Sequence, residues 1–147
     1  MEIETKYFSC VTYAVEDVIS FEHGLFGFEN ENKFILIPFE NDFDSLLCLQ
    51  STEDKNLAFI LINPYNFLFD YRPNVPQSDI SSIGAENLGE IELYTICVIR
   101  DNMMDSTANL RCPILINPTT KKAIQIILDD TNYQFKFPFS KFVDKEG

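Results

Sequence analysis

The residues able to do chemistry are few and scattered. The only histidine, His23, sits between Glu22 and Gly24. A catalytic base needs a nucleophile or a substrate proton within reach, and usually a partner that orients it. No serine or cysteine frames His23 in a recognisable pattern, so a loop histidine is the plainer reading. Cys10, Cys48, Cys97 and Cys112 are far apart, with no CxxC or CxxxC pair to suggest a zinc or redox site. Each lies in an apolar run, where a free cysteine packs as a small hydrophobe, so reduced, buried thiols are expected. The acid pairs Asp42/Asp44, Asp101/Asp105 and Asp129/Asp130 lack the ligand series of a calcium loop. No catalytic, metal or cofactor residue is assigned, and that shifts the reading toward a binding protein.

Three stretches suit recognition better than catalysis. Gly24-Leu25-Phe26-Gly27-Phe28 places two glycines around large apolar residues. Glycines so placed ask for positive φ or close backbone approach. The loop reads as a plug that tucks Leu25 and one or both phenylalanines against a core; the alternative is an exposed apolar knob. The residues argue against a phosphate cradle, because no Lys, Ser or Thr follows at the required spacing. Glu40, Asp42, Phe43 and Asp44 form an acidic loop with a ring inside it, a pattern that suits a hot spot with a steering rim. Tyr65, Phe67, Phe69 and Tyr71 recur every second residue, so a strand would put all four rings on one face. Those rings line a core or, in a rival reading, a small-molecule pocket.

The elements that must hold these residues read mostly as strands. Residues 106–128 contain two apolar runs around Asn117-Pro118-Thr119-Thr120, which is type I turn chemistry and predicts a central hairpin. Residues 2–8 and 11–15 alternate and predict a first hairpin. Residues 18–21, 33–39, 45–51, 57–62 and 90–100 predict further strands, with Leu93, Thr95 and Cys97 on one face. Residues 78–83 predict a short helix with Ser78 as N-cap and Gly84 as stop. Tyr133, Phe135, Phe137 and Phe139 alternate, and Pro138 limits that tail to an edge strand or a strap. The sum is an all-β chain: a small antiparallel barrel, or barrel-like sandwich, with one short helix, in one domain spanning 1–147.

Charge bounds the partners. The formal net charge is -12, and residues 1–50 hold ten acids against two lysines. Such a surface repels phosphate backbones, which argues against direct nucleic-acid binding. It favours a basic partner and speeds the encounter, although acids also serve only solubility. No apolar run reaches the ~18 residues that read as a membrane span. No signal peptide is evident, so the cytoplasm is the expected location.

The motifs taken together resemble a known family. Thr5 to Phe8 (TKYF), Phe21 with Gly24 to Phe28 (GLFGF), Leu49 to Ser51 (LQS), Leu57 to Phe59 (LAF), Thr107 to Leu110 (TANL), Cys112 to Asn117 (CPILIN) and Gln125 to Leu128 (QIIL) occur in the order of the flagellar assembly factor FliW family. Two departures affect turns. Ser9 stands where the family usually has Gly, and Ala123 and Ile124 precede Gln125 where a Gly is common. The resemblance implies a β-barrel without enzymatic activity and two protein partners. One is flagellin, held in the cytoplasm before export, a chaperone-like role. The other is the RNA-binding translational repressor CsrA, bound and antagonised once flagellin leaves. A monomer is expected. The motif residues look like core and turn formers, so the partner-binding expectation rests on Leu25, Phe26, Glu40, Asp42, Phe43 and Asp44.

Overall fold

The structure, a computed structural model, describes residues 1–39, 46–66, 71–130 and 132–146 (143–146 as backbone only). Two strands, β1 (Glu2–Glu4) and β2 (Cys10–Thr12), form a separate antiparallel hairpin. Then come β3 (Ile19–Phe21), β4 (Lys33–Pro38), β5 (Leu46–Ser51), β6 (Ala58–Ile62), helix α1 (Gln77–Ser82) and β7 (Glu92–Val98). The chain ends with β8 (Thr107–Ala108), β9 (Ile114–Asn117), β10 (Lys122–Gln125), β11 (Phe137–Pro138) and helix α2 (Phe139–Glu146).

Seven of these strands close a barrel in the order β7-β6-β5-β4-β3-β10-β9, with β9 returning to β7. Strand β7 makes closure possible by dividing one edge: Glu92, Leu93 and Tyr94 pair with β9, while Cys97 and Val98 pair with β8. The barrel pairings are antiparallel except that between β3 and β10, where Lys122 opposes Ser20 and Ala123 opposes Phe21 in parallel.

The period of two along each strand sorts residues into an inside and an outside. All seven barrel strands contribute to one cluster, which includes Phe21, Phe34, Leu49, Leu61, Ile114, Ile116 and Ala123, with Tyr94 and Ile96 packed against it. This is the barrel interior. Phe21 and Phe34 meet edge to face at 5.4 Å, a favoured ring geometry. The opposite face of β5, β6, β7 and β9 (Leu46, Ile62, Leu93, Cys97, Leu115) forms a second core. Tyr71, Ile83, Leu110, Ile126, Leu128, Phe139 and Phe142 cover it. Both walls of these strands are therefore buried, which is why β5 and β9 read as continuous apolar runs.

The structure departs from the sequence expectations at definite places. Of the two readings of the tail the edge strand holds, though only for Phe137–Pro138, which pairs with β8 at the end of the sheet; a second helix then starts at Phe139. Phe139 and Phe142 are three apart, so a helix puts both on the second core, whereas a strand would split them between faces. Tyr65 lies in a 3-10 turn at Pro64–Asn66 and no strand among the described residues contains Tyr71, so these two rings share no strand face. Phe67 and Phe69 lie outside those residues. Helix α1 starts after Pro76, with no side-chain cap, so Ser78 is inside it. The first hairpin is shorter than its alternation suggests, and Val15 belongs to a 3-10 turn. Strand β10 stops at Gln125, and the hairpin it makes with β9 closes the barrel beside β7 and β3.

Candidate functional site

The family-like motifs have a common physical role, and it is structural. Each of four supplies a side-chain amide that ties a loop down. Gln50 is 0% exposed; its Oε1 accepts the Lys6 amide at 3.0 Å. Its Nε2 lies 3.0–3.3 Å from the carbonyls of Ser51, Asp54, Lys55 and Leu57. One residue thus joins the segment after β1 to the turn between β5 and β6. Asn109 Oδ1 accepts the amides of Arg111 and Cys112 at 3.2 and 3.0 Å, turning the chain into β9. Asn117 Oδ1 accepts the amides of Thr119 and Thr120, while its Nδ2 donates to the Ile83 carbonyl. Gln125 Oε1 accepts the Phe26 amide at 2.9 Å, and its Nε2 donates to the Cys112 carbonyl. Buried amides are tolerable because their partners are supplied, and removing one strands the other.

Gln125 therefore holds the Gly24–Phe28 loop, and the two glycines let it form. Gly24 has φ +66°, and a Cβ there would stand 2.6 Å from Glu29 Cα. Gly27 has φ +86° with open space around it. The loop does both things weighed in the sequence. Leu25 is 1% exposed and belongs to the barrel interior, so its side chain is a plug and not a surface anchor. Phe26 is 49% exposed at the tip. Phe28 is partly exposed and leans edge-on against Phe59 at 5.3 Å. Glu22, Glu29 and Asn30 around the tip are exposed. The acidic loop, Glu40, Asp42, Phe43 and Asp44, lies outside the described residues.

Among the described residues, the groups capable of catalysis are not assembled. His23 is exposed and lines an open groove on the outer wall of about 550 Å³. Cys48, Cys97 and Cys112 are buried, as expected, but Cys10 is exposed because its short hairpin packs only one face. Burial pushes the Cys48 thiol up to about 11 and raises those of Cys97 and Cys112, which opposes thiolate formation. Among the described residues no cluster of His, Cys, Asp and Glu is placed to hold a metal. Tyr71 is buried in the second core and donates its hydroxyl to the Leu110 carbonyl at 2.6 Å. The Tyr65 and Tyr71 rings meet at 5.7 Å between centroids, and Tyr65 alone of the two borders an open groove with Asn63, Leu88 and Leu93.

Fold and site together define a class: a small closed β-barrel, filled by its own side chains, that presents loops pinned from beneath. Residues 2–139 match the sequence profile described as FliW protein. The chain is 37% identical to the flagellar assembly factor FliW of Shouchella clausii, over 94% of each chain. It is 34% identical to the Bacillus subtilis protein of the same name, over 94% of this chain and 96% of that one. A crystal structure of the flagellar assembly factor FliW superposes with a TM-score of 0.86 at 30% identity, covering 94% of this chain and 96% of the other. The chain belongs to the FliW family of flagellar assembly factors.

Proposed function

We propose that the chain is a non-enzymatic, single-domain regulator of flagellar assembly that works in the cytoplasm as a monomer. It binds flagellin before export. Once flagellin leaves, it binds CsrA and relieves repression of flagellin synthesis. The observation that carries this reading is the filled barrel of a family member, whose side chains leave recognition to the exterior. A negative exterior suits a basic RNA-binding partner, and it gives association that weakens as salt rises. Phe26, with Leu25 fixing its loop from below, supplies an apolar contact. Glu40, Asp42, Phe43 and Asp44 supply the charged rim. No helix among the described residues is long and apolar enough to cross a membrane.

The test is co-purification of the tagged chain from cells before and after flagellin export is blocked, with bound proteins identified. Flagellin should dominate under the block, and CsrA when export runs. Recovery of neither protein would contradict the reading.

A further inference from the structure

Three residues far apart in sequence stand in one row across the outer wall. Ser20 on β3 is in register with Lys33 on β4 and with Lys122 on β10. Residues in register across neighbouring strands point to the same face. The flanking residues Ile19, Phe21, Phe34 and Ala123 are buried inside, so the row faces out. Two strand spacings put the lysine backbones about 10 Å apart. Lys33 Nζ donates to Ser20 Oγ at 3.0 Å. Neither lysine is in an ion pair among the described residues, where the pair found is Lys55 with Glu4.

The row forms part of the groove of about 550 Å³, together with His23, Asn32, Ile124, and Ser82 and Ile83 at the end of α1. Glu22 is its one lining carboxylate. Asn32 Nδ2 is committed to the carbonyls of Phe21 and Glu22. The Ser20 hydroxyl accepts from Lys33 and keeps its own proton to give. Two unneutralised cations in a concavity are out of keeping with a chain of net charge -12. Two lysine side chains on one row attract negative charge to the space between them.

We propose that this groove binds an acidic segment of a partner protein, in extended form. Alternate residues of an extended strand point the same way, about 7 Å apart. Two carboxylates so spaced reach Lys33 and Lys122, with the Ser20 hydroxyl between them. The residue between the carboxylates points away from the row. The acids elsewhere on the surface repel such a segment, so it is held here and in one register. The residues that line this groove include none of the acidic stretch Glu40, Asp42, Phe43 and Asp44, and the proposal does not depend on which proteins that stretch meets.

The test is a nuclear magnetic resonance titration of the full chain at low salt with the blocked peptide Asp-Leu-Asp-Leu-Asp. Saturable shifts are expected at the amides of Ser20, Ser82, Lys33 and Lys122. Lys33→Glu with Lys122→Glu should weaken binding by about tenfold or more, and Lys33→Arg with Lys122→Arg should retain it. Both lysines are exposed, so an unchanged melting temperature confirms that each variant folds. Absence of saturable shifts at the row, or equal binding by the charge-reversed variant, would overturn the proposal. So would inorganic phosphate competing as well as the peptide, since that marks a site for a bare anion only.

Discussion

The side-chain amide of Asn117 donates to the backbone carbonyl of Ile83 at 2.9 Å, so the β9–β10 turn is tied to the end of α1. The same side chain closes its own turn through Oδ1, and Thr120 Oγ1 donates to the same Ile83 carbonyl at 2.9 Å. Asn117→Ala removes one donor and one acceptor from a site that is 3% exposed. It should cost about 2 kcal/mol, read as a lower urea midpoint at unchanged slope. Gln50→Ala should cost a similar amount. It should also speed hydrogen exchange across β1 and β2, because Gln50 holds Lys6.

Three positions of positive φ predict a ranking. Gly24→Ala meets both backbone strain and a 2.6 Å clash with Glu29 Cα, and so should be severely destabilising, by ~3 kcal/mol or more. Gly27→Ala meets strain alone and should cost about 1 kcal/mol. Ser9, at φ 62°, carries a side chain in the same region of backbone conformation; Ser9→Gly should stabilise by a few tenths to about 1 kcal/mol. Thermal melts of the three variants give the order directly.

Leu25 and Phe26 are neighbours with opposite exposure, one buried in the barrel and the other at the loop's surface. Leu25→Ala empties part of the barrel interior and should cost about 3 kcal/mol in stability. Phe26→Ala should change stability by no more than ~0.5 kcal/mol and weaken partner binding by about tenfold or more. Denaturation and calorimetry on the same two variants separate the roles.

Thiol chemistry should report the fold. At mild alkaline pH a thiol reagent should modify Cys10 in the native chain, and the other three only after unfolding. Burial raises the Cys48 thiol from 9.0 to about 11. The unfolded chain therefore loses this proton first as pH rises. The stability that Cys48 contributes is fully present below about 9 and is lost as pH climbs to about 11. Burial raises Cys97 and Tyr71 as well, so the loss should continue above that window. Urea midpoints measured from pH 8 upward check the direction.

Local chemistry was readable in the sequence where it decides structure. Asn117-Pro118 announces its turn, alternation or apolar runs announce β4 to β7, and the two glycines announce the Leu25 loop. Closure was not readable, because β7 meets β9, and β10 meets β3, through pairings that no local pattern encodes. The tail misleads for a related reason. Phe135, Phe137 and Phe139 alternate like a strand, yet the second core takes Phe139 and Phe142 from a helix. Cys10 sits among apolar residues in sequence but in a hairpin too thin to bury it. Spacing cannot say which side chain of a short loop turns inward, so Leu25 and Phe26 were not separable. Nor could it bring Lys33 to Lys122, which only the parallel pairing of β3 and β10 does.

The central claim is that a filled, rigid barrel leaves recognition to its negatively charged exterior. Calorimetric titration of CsrA into the chain, and into the chain carrying Asp42→Ala, Phe43→Ala and Asp44→Ala together, tests it most directly. The unaltered chain should bind, and more weakly as salt rises. The triple variant should melt at the same temperature and bind weaker by about tenfold or more. Equal affinity of the two chains, or tight binding indifferent to salt, would contradict the account.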